Sequence, residues 1–541
     1  MTSRERWLLF AALLLLLVPV WLEPAGSWLA EPDEARYAEI PREMLASRDY
    51  VTPRLNGIPY FEKPALLYWA NAASMRLFGV TPWAARLPTR LFGLGTVMVL
   101  VLGTAAAWGA ETGLAAGILY LASPYGFLFS RVNLTDAPLT FFFTATLFLA
   151  RATIARREAR LPWKTLSLLT GLAAAGGFLS KGLAAIVLPG GILLLWCLLA
   201  RRTRFLPTLL AGPALPAFLL ASAPWFFLAE KRNPGFLDFF FIHEHFQRFS
   251  ASGHSRPGPI YYFVPVFLAG FLPAIPFFFS ALRRSRLAGD REAQFFLTWF
   301  AVVLVFFSVS RSKLPPYLLP AIPAAAALAA RSVFARPRAG PGAWLACAIL
   351  AALLPAAVLI DPTLRGSVRE YGLTAVAIGG LGVLLAGSFA AAALSRRSAV
   401  SALAALACGW AGLGVMAALG WPKLPNATGP HALASAAVAA RNDGATVVGY
   451  QAYLQGLPLA LAAPIPLADY VGELEPQFLR SAGSRDALLW TREKFWSEWK
   501  SGRRYAALIR ERDMSEFKGG TVRVLARGPK QFLVANYRER E

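Results

Sequence analysis

The chain has 541 residues, of which 56% are hydrophobic and 16% charged; its mean hydropathy is +0.48 and its formal net charge +23. Soluble domains carry about 25% charged residues, so the composition excludes an ordinary soluble enzyme, and the apolar content excludes disorder. In a chain this apolar, the basic excess marks cytoplasmic loops and anionic lipid rather than nucleic acid.

Apolar stretches of roughly 17–25 residues, long enough to cross a hydrocarbon core as helices, recur along the sequence. They fall near 7–22, 83–108, 112–129, 137–150, 165–179, 182–200 and 205–228, then 260–281, 293–309, 314–330, 343–360, 371–394 and 399–420. The first follows Arg4 and Arg6 in the manner of a signal peptide. The cleavage-like Ala25-Gly26-Ser27 is weak, and many spans follow, so the stretch reads as a retained helix. With about thirteen spans, every arginine cluster falls on one side, which the positive-inside rule makes the cytoplasm. The clusters are Arg4/Arg6, Arg151/Arg156/Arg157/Arg160, Arg201/Arg202/Arg204, Arg283/Arg284/Arg286, Arg331/Arg336/Arg338 and Arg396/Arg397. The three cysteines, Cys197, Cys347 and Cys408, lie in apolar runs without a paired framework and are expected to be buried thiols.

The opposite, periplasmic side receives the loops 23–82 and 229–259 and the tail from 422 to 541. The tail has charge, short β-like runs at 445–450, 522–526 and 532–537, and helical stretches at 431–441 and 491–500. It reads as an α/β domain of about 120 residues. The sequence thus predicts a mostly α, polytopic membrane helical bundle over 1–421, with amphipathic helices at the outer face and a small α/β domain over 422–541.

Polar motifs gather on that outer side. The first loop carries Asp33-Glu34-Ala35-Arg36-Tyr37-Ala38-Glu39 and Tyr60-Phe61-Glu62-Lys63-Pro64. Later turns carry Leu134-Thr135-Asp136, Ser180-Lys181-Gly182 and Ser312-Lys313-Leu314-Pro315-Pro316-Tyr317. Three of the four histidines, His243, His245 and His254, share one loop with Arg248. Ionisable groups at membrane depth are costly and mark functional sites by default. Carboxylates serve as general bases or orient a nucleophile, and Lys and Arg suit a phosphate. Such a set fits a substrate with a lipid tail and a phosphate head.

Each residue also has a plainer role. Asp33 and Asp136 both suit helix N-caps. Glu62-Lys63 suits a surface ion pair, Lys181 a snorkelling lysine, and Arg248 a lipid-headgroup contact. His-x-His is a weak metal signal alone. Their coincidence on one membrane face favours the functional reading.

At these motifs, with Glu244-His245-Phe246-Gln247-Arg248-Phe249, the chain resembles the 4-amino-4-deoxy-L-arabinose lipid A transferases. These are relatives of the protein O-mannosyltransferases in the GT-C glycosyltransferase superfamily. The motifs run in order from residue 1 to about 330, and beyond that the likeness rests on span count and a terminal outer domain. The resemblance implies a GT-C fold and inverting transfer of a sugar from a polyprenyl-phosphate donor to lipid A or another periplasmic acceptor. It implies that Asp33 is the main catalytic carboxylate and Asp136 a second one. It gives Lys63 and Arg248 the donor phosphate, with Lys181, Arg36, Tyr37 and Tyr317 around the donor. It implies a structural metal on Glu62 with His243, or else His245, for which Zn is the fitting ion. No Gly-rich nucleotide fingerprint occurs in a fitting context, so no nucleotide cofactor is expected. Pro315-Pro316 stands where the family pattern has Pro-Thr, which leaves sugar and acceptor open.

Three functions therefore compete. The first is a membrane glycosyltransferase acting on lipid A, a protein or another glycan. The second, a lipid transporter, calls for broken helices and charges at mid-span, whereas the ionisable residues here lie at span ends. The third, a receptor using the tail, leaves the loop clusters unexplained.

Overall fold

The computed structural model describes residues 2–23, 28–247, 258–284, 290–334, 341–360, 362, 366, 368–369, 372–420, 425–474, 476–479, 482–517, 522–528 and 530–537. The chain forms two compact units. One comprises Met1–Glu23, Thr89–Glu230 and Gly235–Gly420; the other comprises Pro24–Pro88, Lys231–Pro234 and Trp421–Glu541.

The first unit is helical, and each apolar stretch named above contains helix. Among the described residues, six helices are long and apolar enough to span a membrane: Pro82–Trp108, Asp136–Glu158, Arg291–Val309, Pro315–Phe334, Thr374–Leu394 and Ala399–Gly420. Phe263–Gly270 and Ile275–Leu282, bent by 117°, make a seventh if taken as one span. Some other stretches are shorter or broken, and two of those breaks lie beside proline. Helix Ala110–Leu121 ends before Pro124, and Pro213 separates Pro207–Ala211 from Ala214–Arg232. Proline removes an amide donor and clashes with the preceding turn, and in membranes neighbouring helices satisfy the freed carbonyls.

Small residues and aromatics pack this unit. Ala324 to Ala330, all alanine but for Leu328, are fully buried, so helix Ile322–Phe334 sits closely among its neighbours. Thr374–Leu394 meets Ala399–Gly420 at Gly387 and Gly409, where a Cβ on Gly387 would lie 2.6 Å from Gly409 Cα. Phe148, Phe295, Phe296 and Trp299 form one aromatic knot. Cys197 and Cys347 are buried as expected, but Cys408 is exposed on its helix. An apolar environment outside the helix satisfies a thiol as well as a core does.

The second unit joins the first outer loop to the tail. In the loop, β1 (Arg54–Leu55) and β2 (Ile58–Pro59) pair antiparallel. Asn56 and Gly57 turn the hairpin at φ 55° and 76°, the conformation an Asn-Gly pair favours. Buried Asn56 then exchanges two hydrogen bonds with the Ile465 backbone, of 2.9 and 2.8 Å. The tail builds a six-stranded sheet from β3 (Thr446–Tyr450), β4 (Leu467–Ala468), β5 (Leu489–Trp490), β6 (Tyr505–Arg510), β7 (Arg523–Arg527) and β8 (Gln531–Ala535). The order is β5-β4-β3-β6-β8-β7, parallel through the first four strands and antiparallel beyond. Helices Pro425–Asn442 and Arg492–Trp499 cover the expected helical runs. Phe495, Trp499 and Phe517 pack with Val448, Tyr450, Ile509 and Val534 in the tail's core. The tail thus carries strands and helices from Pro425 on, in one unit with residues 24–88 and 231–234.

Candidate functional site

In the second unit, helix Asp33–Ser47 carries the leading carboxylate. Its N-cap is Pro32, with no side-chain cap bond, so Asp33 is the first helical residue and is not spent on capping. The Asp33 side chain stays 51% exposed, with Oδ1 3.6 Å from Arg36 Nη1. Arg36 is buried. Its Nη1 donates to the Tyr60 hydroxyl at 3.1 Å and its Nη2 to Glu473 Oε1 at 2.5 Å. The guanidinium lies 6.0 Å from the Tyr37 ring centre and 5.7 Å from that of Tyr60. Burial opposes its charge, yet Tyr60, Tyr37 and Glu473 hold it firmly protonated. Gln455 Nε2 donates to the same Glu473 oxygen at 2.7 Å. Tyr37 is buried and pairs with Tyr68 at 6.1 Å.

Glu62 and Lys63 are not a solvated pair: their side chains are 13% and 17% exposed and 3.7 Å apart. Lys63 Nζ also donates to the Glu62 carbonyl at 2.9 Å. Next to Asp33, Glu34 has a different part. It takes a two-pronged grip from Arg86, at 2.8 and 2.6 Å, both side chains almost wholly buried. Glu31 is half-buried, and its oxygens accept from the backbone N–H groups of Gln455 and Gly456. Burial pushes its carboxyl up to about 8, the two N–H donors pulling the other way. Glu31, Tyr60, Gln455 and Glu473 were not singled out from the sequence. Only the proximity of Glu31 and Tyr60 to the two motifs hinted at them.

In the first unit, Asp136 likewise opens its helix without capping it; Thr135 is the cap residue, with no side-chain cap bond. Asp136 is 7% exposed and ion-paired with Lys181, which is 15% exposed. Burying the two together spares each the larger cost of being buried without a partner. Lys181 Nζ also lies 5.1 Å from the Tyr317 ring centre, so the three residues form one cluster. Tyr125 donates its hydroxyl to the Pro315 carbonyl at 2.6 Å and so fixes the turn that carries Tyr317.

Lys313 does not join this cluster. Its buried Nζ donates to the carbonyls of Phe307, Ser308 and Ser310 at 3.3, 2.8 and 2.7 Å and closes the end of helix Arg291–Val309. Lys313→Met should therefore cost about 1–3 kcal/mol of stability by stranding those carbonyls. Thermal unfolding in detergent should show the loss, while donor KM stays unchanged.

His243 lies in the π-helical segment Phe239–Gln247, stacked on Phe239 at 5.1 Å. His245 shares that segment, but its side chain, and the whole of Arg248, lie outside the described residues. Among the described residues, no three His, Cys, Asp or Glu side chains gather to hold an ion. The Zn site expected on Glu62 with His243 or His245 thus falls partly outside the described residues.

A family model described as dolichyl-phosphate-mannose-protein mannosyltransferase matches residues 7–240. Undecaprenyl phosphate-alpha-4-amino-4-deoxy-L-arabinose arabinosyl transferase 1 of Proteus mirabilis is 34% identical over 330 residues, which is 59% of this chain and 58% of that protein. The arabinosyl transferase of Yersinia enterocolitica is 35% identical over 317 residues, 57% of this chain and 56% of the relative. The sequence match thus spans rather more than half the length of these curated relatives. The fold match is longer. The crystal structure of ArnT from Cupriavidus metallidurans bound to undecaprenyl phosphate matches 98% of this chain and 97% of its own, with a TM-score of 0.83 at 29% identity. Its apo form matches with a TM-score of 0.84, again at 29% identity. In sequence over 59% of its length and in fold over 98% of it, the chain is thus similar to the aminoarabinose transferases.

Proposed function

We propose that the protein is a multi-pass inner-membrane glycosyltransferase. It moves 4-amino-4-deoxy-L-arabinose from undecaprenyl phosphate to lipid A at the periplasmic face. The observation that carries this reading is the near whole-chain fold match to a transferase crystallised with undecaprenyl phosphate. The one-sided arginine clusters support the orientation.

In this reaction an acceptor oxygen attacks the anomeric carbon. The bond from that carbon to the phosphate oxygen breaks, and undecaprenyl phosphate leaves with the electron pair. The configuration inverts. The leaving group is already a stable anion, so cations at its oxygens lower the barrier more than a general acid would. Lys63 and Arg248 hold that phosphate, and Arg36, Tyr37, Lys181 and Tyr317 contact the donor. Asp33, uncommitted to capping and half-exposed, orients a phosphate acceptor or takes the proton of a hydroxyl acceptor. Asp136, neutralised by Lys181, is the second carboxylate.

One observation favours a second acceptor class: the matching family model describes protein mannosyltransferases. Radiolabelled undecaprenyl-phosphate aminoarabinose in proteoliposomes, offered lipid A or a Ser/Thr peptide, separates the two. Label in lipid A supports the proposal. Label in the peptide alone moves the acceptor to protein, and donor carried across the bilayer without product makes the protein a transporter.

A further inference from the structure

The carboxylate two residues before Asp33 is held by the far end of the chain. Glu31 Oε1 accepts from the Gly456 amide at 2.6 Å and Oε2 from the Gln455 amide at 3.0 Å. The approach is so close that a Cβ on Gly456 would lie 2.7 Å from Glu31 Oε1 and 3.4 Å from Ala35 Cβ. A side chain at position 456 would therefore press on the Glu31 carboxylate and displace it. The same tail dipeptide reaches the helix a second way, since Gln455 Nε2 steadies the Glu473 carboxylate that grips Arg36. Gln455-Gly456 thus fixes both the entry of helix Asp33–Ser47 and its first buried arginine. The tail does not depend on these bonds for its own fold, because its sheet and aromatic core close without them.

We infer that Glu31 is a positioning residue, through which the tail dipeptide Gln455-Gly456 sets the aim of Asp33, while Arg36 is held separately through Gln455 and Glu473. The inference rests on the transferase reading of Asp33. A carboxylate that must meet a reacting atom loses rate steeply with small misplacement, by up to about 100-fold for 1 Å. The tail is then a working part of the site, not a cover over it.

The test uses the full-length protein in proteoliposomes. Gly456→Ala forces its new methyl against Glu31 and should lower kcat about 10- to 100-fold with donor KM little changed, the mark of lost alignment rather than lost binding. Glu31→Asp withdraws the carboxylate by one methylene, so the double variant E31D/G456A should recover part of that kcat. A merely structural contact would give neither the kcat-specific loss nor the recovery. Wild-type kcat in G456A, or a loss that E31D deepens, overturns the inference while the transferase reading stands. Wild-type protein that forms no glycosidic product overturns both.

Discussion

Asp33→Asn should lower kcat by about 10³-fold, or about 4 kcal/mol at the transition state, with little change in stability. The substitution keeps the shape and removes the charge. The side chain is half-exposed, does not cap its helix, and has Arg36 at 3.6 Å as a loose partner. The helix therefore has little to lose from an amide there. If the acceptor is a hydroxyl, the base is lost outright. If it is a phosphate, the charge pattern that orients it is lost. Parallel turnover and thermal-unfolding measurements check the claim. Full activity in a folded Asp33→Asn protein would remove Asp33 from the chemistry.

Glu34→Ala, one residue on, should do the reverse and cost about 3–5 kcal/mol of stability. Arg86 and Glu34 are 2% and 1% exposed and joined by two short bonds. Each also has a backbone partner: Arg86 Nη2 donates to the Trp28 carbonyl at 2.7 Å, and Glu34 Oε2 accepts from the Ala30 amide at 2.9 Å. Removing the carboxylate strands a buried guanidinium that cannot shed its proton. Replacing both partners, as in E34L/R86M, removes the stranded charge and should be milder than Glu34→Ala alone. Yield and unfolding temperature in detergent read the difference. Equal stability of Glu34→Ala and wild type would show that the pair contributes nothing. The two carboxylates of the Asp33-Glu34 dipeptide thus differ in setting: Asp33 is half-exposed and is the one proposed for the chemistry, whereas Glu34 is locked into the fold.

The helical part of the fold was legible because hydropathy is written locally, span by span. The places where it misled are the prolines, which break several apolar stretches that look continuous. The α/β tail was legible in outline, but its central strand β6 was not, since Tyr505-Ala-Ala-Leu-Ile-Arg has weak β-forming alanines and declares itself only by burial between β3 and β8. Among site residues, Asp136 and Lys181 were readable as separate charges and prove to be partners across 45 residues. The pairing of Arg36 with Glu473, across 437 residues, leaves no local mark at either end. Lys313 shows the opposite hazard. A lysine beside a motif looks like a phosphate ligand until its three donors are traced to a helix end. The proposed chemistry rests on the likeness to the aminoarabinose transferases, and the geometry separates residues held for structure from those more exposed.

The most direct test is to incubate the purified protein with undecaprenyl-phosphate aminoarabinose and lipid A and to weigh the lipid A by mass spectrometry, with Asp33→Asn beside it. A gain of one aminoarabinose is expected with the wild type and none with the variant. Unmodified lipid A from folded wild-type protein, or an equal gain with Asp33→Asn, would contradict the proposed function.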